Sequence, residues 1–338
     1  MNILRKGTAA LLAILFVITA LASLFLFNFE RKAFTVETYQ LAFANQDFYD
    51  HLPAIMAEAL MTSPQVDNLP VGLRGLSTQK WETFIRELLP PETLQSMGNE
   101  ALVSIFAYLN NESDIAEFSL LPLKQRMSKP EAVQAVLELL KTQPPCTLTQ
   151  IAQMTVAALA DRQITLCNPP AESIGLITPI IQTQLQLAAA VIPDQVTLIS
   201  APPAGQKDPR AQLKVARLVM QLSPLVALAL LLGVTLLAVD GFNSWLKWWG
   251  YPLFVTGLLA SLMGLAGAPL AQAFLPEFLA HRMPTYLPTI LLNNGSQLAA
   301  AILEQLLRPV TLQGLALGGI GLVMVIIATL VKQKKPAN

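Results

Sequence analysis

TAALLAILFVITALASLFLF, residues 8–27, runs for twenty residues without a charged side chain. At 1.5 Å rise per residue, a helix of that length covers the ~30 Å hydrocarbon core of a bilayer. Residues 218–239, 251–274 and 312–331 are comparably long and equally uncharged. Lipid offers no partners to backbone amides, so each of the four runs is predicted as a membrane-spanning helix. Composition agrees: 53% of the chain is hydrophobic, 13% is charged, and mean hydropathy is +0.50. That charge content is half the ~25% of an ordinary soluble domain.

Working outward from the spans, the chain reads as a cytoplasmic tail (1–7), a first span (8–27), an extracytoplasmic domain (28–217) and a second span (218–239). A cytoplasmic turn (240–250), a third span (251–274), an outer loop with a helix (275–311), a fourth span (312–331) and a cytoplasmic tail (332–338) complete it. The orientation rests on Arg5 and Lys6 before the first span and Lys332, Lys334 and Lys335 after the fourth, since basic flanks stay inside. Arg31, Lys32, Lys214 and Arg217 flank spans on the other side, but long domains translocate with little regard to charge. Both termini are therefore expected in the cytoplasm of a plasma membrane. Ala20-Leu21-Ala22 matches a signal-peptidase site, although the apolar run continues to Phe27 and makes a full-length anchor. From Glu30 to Arg217 there are 14 basic and 19 acidic residues, five more acids than bases. This mild acidity, with no concentrated basic face, excludes nucleic acid as a partner.

Two patterns concern the spans themselves. Trp245, Trp248, Trp249 and Tyr251 surround Lys247, the composition of an aromatic belt at headgroup level, with a docking element for a cytoplasmic partner as the alternative. Ala260, Gly264 and Ala268 recur every four residues, as do Gly314 and Gly318, and such stripes let helix backbones approach closely. No Asp, Glu, Lys, Arg or His falls inside the four runs, which argues against a proton-coupled carrier or ion pump.

The outer domain is expected to be mainly α with a small sheet, an α+β arrangement. Apolar spacing predicts helices over 36–61, from Ser77 as N-cap to Pro90, over 91–110, 129–142 and 174–191. Alternation predicts short strands at 117–120, 163–166 and 195–198. Cys146 and Cys167 are the only cysteines; in an exported domain they form one possible disulfide, closing a loop worth ~3 kcal/mol. Residues 201–208 read as a linker, and 275–311 as a loop broken by Pro276, Pro284 and Pro288 before a helix over 289–308.

Chemistry is sparse. Asp47, Asp50 and His51 cluster within five residues and are metal-ligand candidates, but without a recognised ligand spacing, so no metal or cofactor is assigned. Glu277 and His281 share a helical face as an ion pair. No nucleophile elbow, phosphate loop or dinucleotide fingerprint occurs. Residues 81–110 (WETFIRELLPPETLQSMGNEALVSIFAYLN) and 118–127 resemble uncharacterised multi-pass envelope proteins of bacteria. The order of one span, a large outer domain and three spans resembles MacB- and FtsX-type permeases, which implies a separate ATPase coupled through the Trp245–Trp249 turn. The first expectation is a non-enzymatic envelope protein whose outer domain binds a partner or ligand, contacting lipid and either a second protein or its own copies through exposed positions near Trp81. The rivals are the permease-like subunit and an extracytoplasmic hydrolase or metalloenzyme centred on His51.

Overall fold

The computed structural model describes residues 3–63, 76–147, 149–150, 167–203, 205–282 and 289–333. The chain divides into two units: residues 1–42, 202–276 and 297–338 form the first, and residues 43–201 and 277–296 the second. The fold is mainly α. Five helices are long and apolar enough to cross a membrane, by length and composition, and one of them, at Ala171–Val191, lies within the second unit.

In the first unit the apolar runs are longer helices than their uncharged cores. They are α1 (Ile3–Ala33), with α2 (Val36–Asn45) after it, and three long helices from the C-terminal half. Because the second unit intervenes in sequence, those three take the labels α9 (Pro209–Ala238), α10 (Phe242–Arg282) and α11 (Thr289–Gln333). The turn expected at 240–250 is mostly helix, since α10 begins at Phe242 and only Val239, Asp240 and Gly241 intervene. Pro276, expected to break the following loop, lies inside α10; Pro284 and Pro288 fall outside the described residues.

α1 packs along α9. Phe16 and Ala20 are buried against Ala227 and Leu231, and Ala9 against Val234 and Ala238. Their other faces leave Leu11, Ile14, Ile18, Leu225 and Leu232 exposed, the arrangement expected of helices solvated by lipid. α10 and α11 approach through glycine. A Cβ on Gly257 would collide with the Gly318 backbone, and one on Gly314 would lie 2.8 Å from the Ser261 nitrogen and 3.0 Å from the Ala260 Cβ. Ala260 and Ala268 are buried, and a Cβ on Gly264 would meet Thr311.

Polar contacts mark both ends of this unit. At one, Arg5 approaches Asp240 at 3.6 Å and Asn243 Nδ2 donates to the Ala328 carbonyl at 3.0 Å. At the other, Asn28 and Gln313 exchange amide hydrogen bonds of 2.7 and 3.1 Å. Two residues on, Glu30 is only 5% exposed, and its Oε1 accepts from Arg217 Nε at 3.1 Å and Gln221 Nε2 at 2.8 Å. The Arg217 guanidinium also lies 4.5 Å over the Phe34 ring, a cation–π contact.

The second unit carries α3 (Phe48–Thr62), α4 (Thr78–Leu88), α5 (Pro91–Leu109), β1 (Ile115–Ser119), α6 (Leu121–Met127), α7 (Pro130–Lys141), α8 (Ile174–Val191) and β2 (Gln195–Ser200). The single helix expected over 36–61 is two, α2 and α3, because Asp47 adopts the left-handed conformation at φ 45°. Ser77 caps α4 by accepting from the Lys80 N–H, and Pro91 and Pro130 occupy first-turn positions, where a missing N–H costs nothing. Ala57, Leu76, Trp81, Ile85 and Leu139 form one core cluster and Tyr49, Leu89, Leu94 and Met97 another. Gly98 lets Tyr49 cross α5, since a Cβ there would lie 2.6 Å from its hydroxyl, and burial raises the Tyr49 phenol pKa. β1 and β2 pair antiparallel with a shift in register between Ala116 and Glu117. The Glu117 N–H donates to Ser104 Oγ of α5 at 2.8 Å, fixing β1 to that helix. The strand expected at 163–166 lies outside the described residues.

The buried ion pair gives a direct test. Arg217→Leu leaves the Glu30 carboxylate enclosed without its cation and is expected to cost ~3–5 kcal/mol, while Arg217→Leu with Glu30→Leu recovers most of that loss. Unfolding in mixed micelles measures both; an equal loss in the double variant would show that the two charges are not coupled.

Candidate binding surface

Around the disulfide the second unit forms a cleft. Cys146 and Cys167 are bonded, with Cα atoms 5.0 Å apart and a sequence separation of 21. The backbone continues the crosslink: the Cys146 N–H donates to the Asn168 carbonyl at 2.9 Å and the Asn168 N–H to the Pro144 carbonyl at 2.8 Å. These contacts hold Asn168 and Pro169 as one wall of a cleft of about 560 Å³, and Ile174, the first residue of α8, lies beside them. Glu87 of α4, Arg126 of α6 and Glu131 of α7 supply charge to its lining. Glu138 and Lys141 also line it, paired with each other at 2.6 Å. Both are half exposed, so that pair contributes no more than ~1 kcal/mol. The volume falls within the ~300–1,000 Å³ of small-ligand sites.

From this cleft α8 leads away over α6 and α7 to β2. α8 contains no ionisable residue, yet Leu176 is 72% exposed, Leu187 56% and Val191 86%. β2 follows after three residues, and all six of its side chains are exposed, Val196, Leu198 and Ile199 among them. The segment between them is anchored where Lys124 pairs with Asp194 and the Leu120 N–H donates to the Asp194 carbonyl. An apolar helix face and strand thus stand exposed on a fixed scaffold.

The residues singled out from sequence fall in different places. Asp47, Asp50 and His51 are exposed at the start of α3; His51 Nδ1 lies 3.0 Å from the Asp47 carbonyl, and the Asp50 carbonyl accepts from Arg86. Among the described residues no three His, Cys, Asp or Glu side chains come together as a metal-binding group. Glu277 is exposed, while the His281 side chain lies outside the described residues. Trp81, expected near an exposed surface, is buried in the core because it lies one turn from Ile85 on the same face of α4. Trp245, Trp248 and Trp249 are half-buried: Trp248 packs against the cluster of Ala9 of α1 with Val234 and Ala238 of α9, and Trp249 Nε1 donates to Thr235 Oγ1 of α9 at 2.8 Å. Lys247 is half-buried and Tyr251 exposed. The Glu30–Arg217 and Asn28–Gln313 pairs escape sequence reasoning because their partners are 187 and 285 residues apart.

Replacing both cysteines with serine is expected to lower stability by ~3 kcal/mol through the freed loop. It should also speed hydrogen exchange at the Cys146 and Asn168 amides while leaving the α3–α4 core protected. Unchanged exchange at those two amides would mean that the backbone alone holds the cleft wall.

No protein-family model matches the chain, and no curated protein or solved structure matches it.

Proposed function

We propose that the chain is a multi-pass plasma-membrane protein with four spans, both termini cytoplasmic, and that its second unit lies outside and docks a protein partner through α8 and β2. The topology is supported by the contacts of Arg5 with Asp240 and of Asn243 with Ala328, which gather the start of α1, the α9–α10 turn and the end of α11. With basic residues at both chain ends, that side is the cytoplasmic one.

The fifth apolar helix, α8, is assigned to the outer unit on geometric grounds. β1 precedes α8 and β2 follows it, and the two strands pair. A single crossing at α8 would put paired strands on opposite faces of the bilayer. Its mean hydropathy is also the lowest of the five, 1.4 against 1.8–2.8.

The observation that carries docking is the bare apolar face of α8 and β2, with Leu187 and Val191 at its exposed end. A helix adapted to lie on lipid has basic residues along its polar face. The polar face of α8 is Gln and Thr instead, including Gln182, Thr183 and Gln186, which suits a protein surface. The permease-like reading assigns coupling to Trp245–Trp249. Trp248 and Trp249 are engaged with α1 and α9, which weighs against offering them to an ATPase.

Two measurements test the proposal. Glu112→Cys, on the exposed turn before β1, should react with a membrane-impermeant maleimide on intact cells; labelling only after lysis would overturn the outer placement. A photo-crosslinking residue at Val191 should give a discrete adduct with another protein that Leu187→Asp removes. That substitution should shift stability by less than ~0.5 kcal/mol yet cost ~2 kcal/mol or more of docking. An adduct of twice the chain's mass would identify a second copy as the partner, and adducts with lipid alone would remove the docking assignment.

A further inference from the structure

α10 carries no charge between Lys247 and Glu277, and α11 none between Arg308 and Lys332. The end of the α11 apolar stretch is therefore marked by Glu304 and Arg308, one turn apart. Charged side chains at the limit of an apolar helix stand at headgroup level. A Glu four residues before an Arg commonly pairs with it. Here the two do not meet: among the described residues neither side chain has an ion-pair or hydrogen-bond partner. Both are exposed and both line a groove of about 440 Å³ between α10 and α11.

The groove is built by the helix pair. Gly264 and Ala268 are buried at its base, where larger side chains would fill it. Pro269 has no N–H, so the carbonyl of Leu265 is released from its helical donor. Thr311 donates its hydroxyl to the Leu307 carbonyl, leaving its oxygen free to accept. At the lip, Leu265 and Leu312 are exposed and continue into the uncharged faces of their helices. The site thus offers one cation, one anion and polar atoms beside an apolar track.

We propose that this groove binds the headgroup of an ethanolamine-bearing phospholipid, with the phosphate on Arg308, the ammonium on Glu304 and the acyl chains along Leu265 and Leu312. The paired charges select the headgroup. A glycerol headgroup leaves the lipid net negative and sets no cation against Glu304, and a choline headgroup has no N–H to donate. The apolar lip favours a lipid over a free zwitterion of the same headgroup.

The test uses the full chain in nanodiscs containing equal amounts of ethanolamine, choline and glycerol phospholipids with matched acyl chains, with retained lipid read by native mass spectrometry. The ethanolamine lipid should be retained roughly tenfold over each of the others, the effect of one charge-assisted hydrogen bond. Glu304→Gln should abolish that preference while phospholipid stays bound, and Arg308→Gln should release all three lipids. Arg308→Lys should keep them, separating lost charge from lost structure. Soluble phosphoethanolamine should not displace the lipid; full displacement would overturn the lipid as the source of the headgroup. Equal retention of the three lipids by the unaltered chain, or retention unaffected by Arg308→Gln, would overturn the site itself.

Discussion

Hydrocarbon accepts no hydrogen bonds, and on the proposal that the long apolar helices cross a bilayer that constraint dictates the first unit. Every long apolar run must satisfy its amides internally, so every one is a helix. Once helical, such segments gain little from burying apolar side chains against each other, because lipid is equally apolar. Association then rests on close packing and on polar contacts. α10 and α11 use the first, with Gly257 and Gly314 where a Cβ would strike the facing backbone. α1 uses the second: Ser23 donates to the Ser223 carbonyl on α9, and Asn28 bonds Gln313 on α11.

The two ends of this unit are held with different strength. The Arg5–Asp240 pair is largely exposed, at 41% and 60% of each side chain, and its atoms stand 3.6 Å apart, so solvent screening leaves it worth at most ~1 kcal/mol. Glu30 is enclosed, and a single carboxylate oxygen gathers an arginine and a glutamine while the arginine also covers an aromatic ring. An enclosed ion cannot fall back on water when its partner leaves. The end bearing Glu30 therefore fixes how α1 and α9 meet, and the Arg5 end tolerates rearrangement.

What was legible in the sequence follows the range of the interaction concerned. Span length is set by bilayer thickness and needs only a run of uncharged residues, so the apolar helices could be read directly. Ser77, Pro91 and Pro130 act within one turn of helix and mark their helix starts equally well. The cysteine pair was readable because only one pairing exists. The break between α2 and α3 was not, because Asp47 takes a left-handed conformation without a glycine to signal it. Trp81 could be read as surface or core until its neighbours Leu76 and Leu139 were placed. Glu30 and Arg217 each resembled ordinary flanking charges, since nothing local ties residue 30 to residue 217. Asp47, Asp50 and His51 have the i, i+3, i+4 spacing of one helical face, but Asp47 stands outside the helix in the left-handed conformation and His51 Nδ1 lies against its carbonyl.

The exposure of α8 has a geometric cause. α8 has 18 residues, about 27 Å of helix, whereas α6 and α7 beneath it have 7 and 12, about 10 and 18 Å. Neither alone can cover its full length, and at the far end of α8 the groove shared with α6 takes up Gln186, Ala189 and Ala190 while Leu187 and Val191 stay exposed. That end is nevertheless not free to move, because Asp194 is held by Lys124 and the strand that follows is paired to β1. Its other end begins beside the disulfide-held wall at Asn168 and Pro169. An apolar helix fixed at both ends, with Ile177 and Ala189 buried but Leu176, Leu187 and Val191 exposed, is a pre-formed surface: a partner that covers it gains the apolar burial without the cost of ordering it.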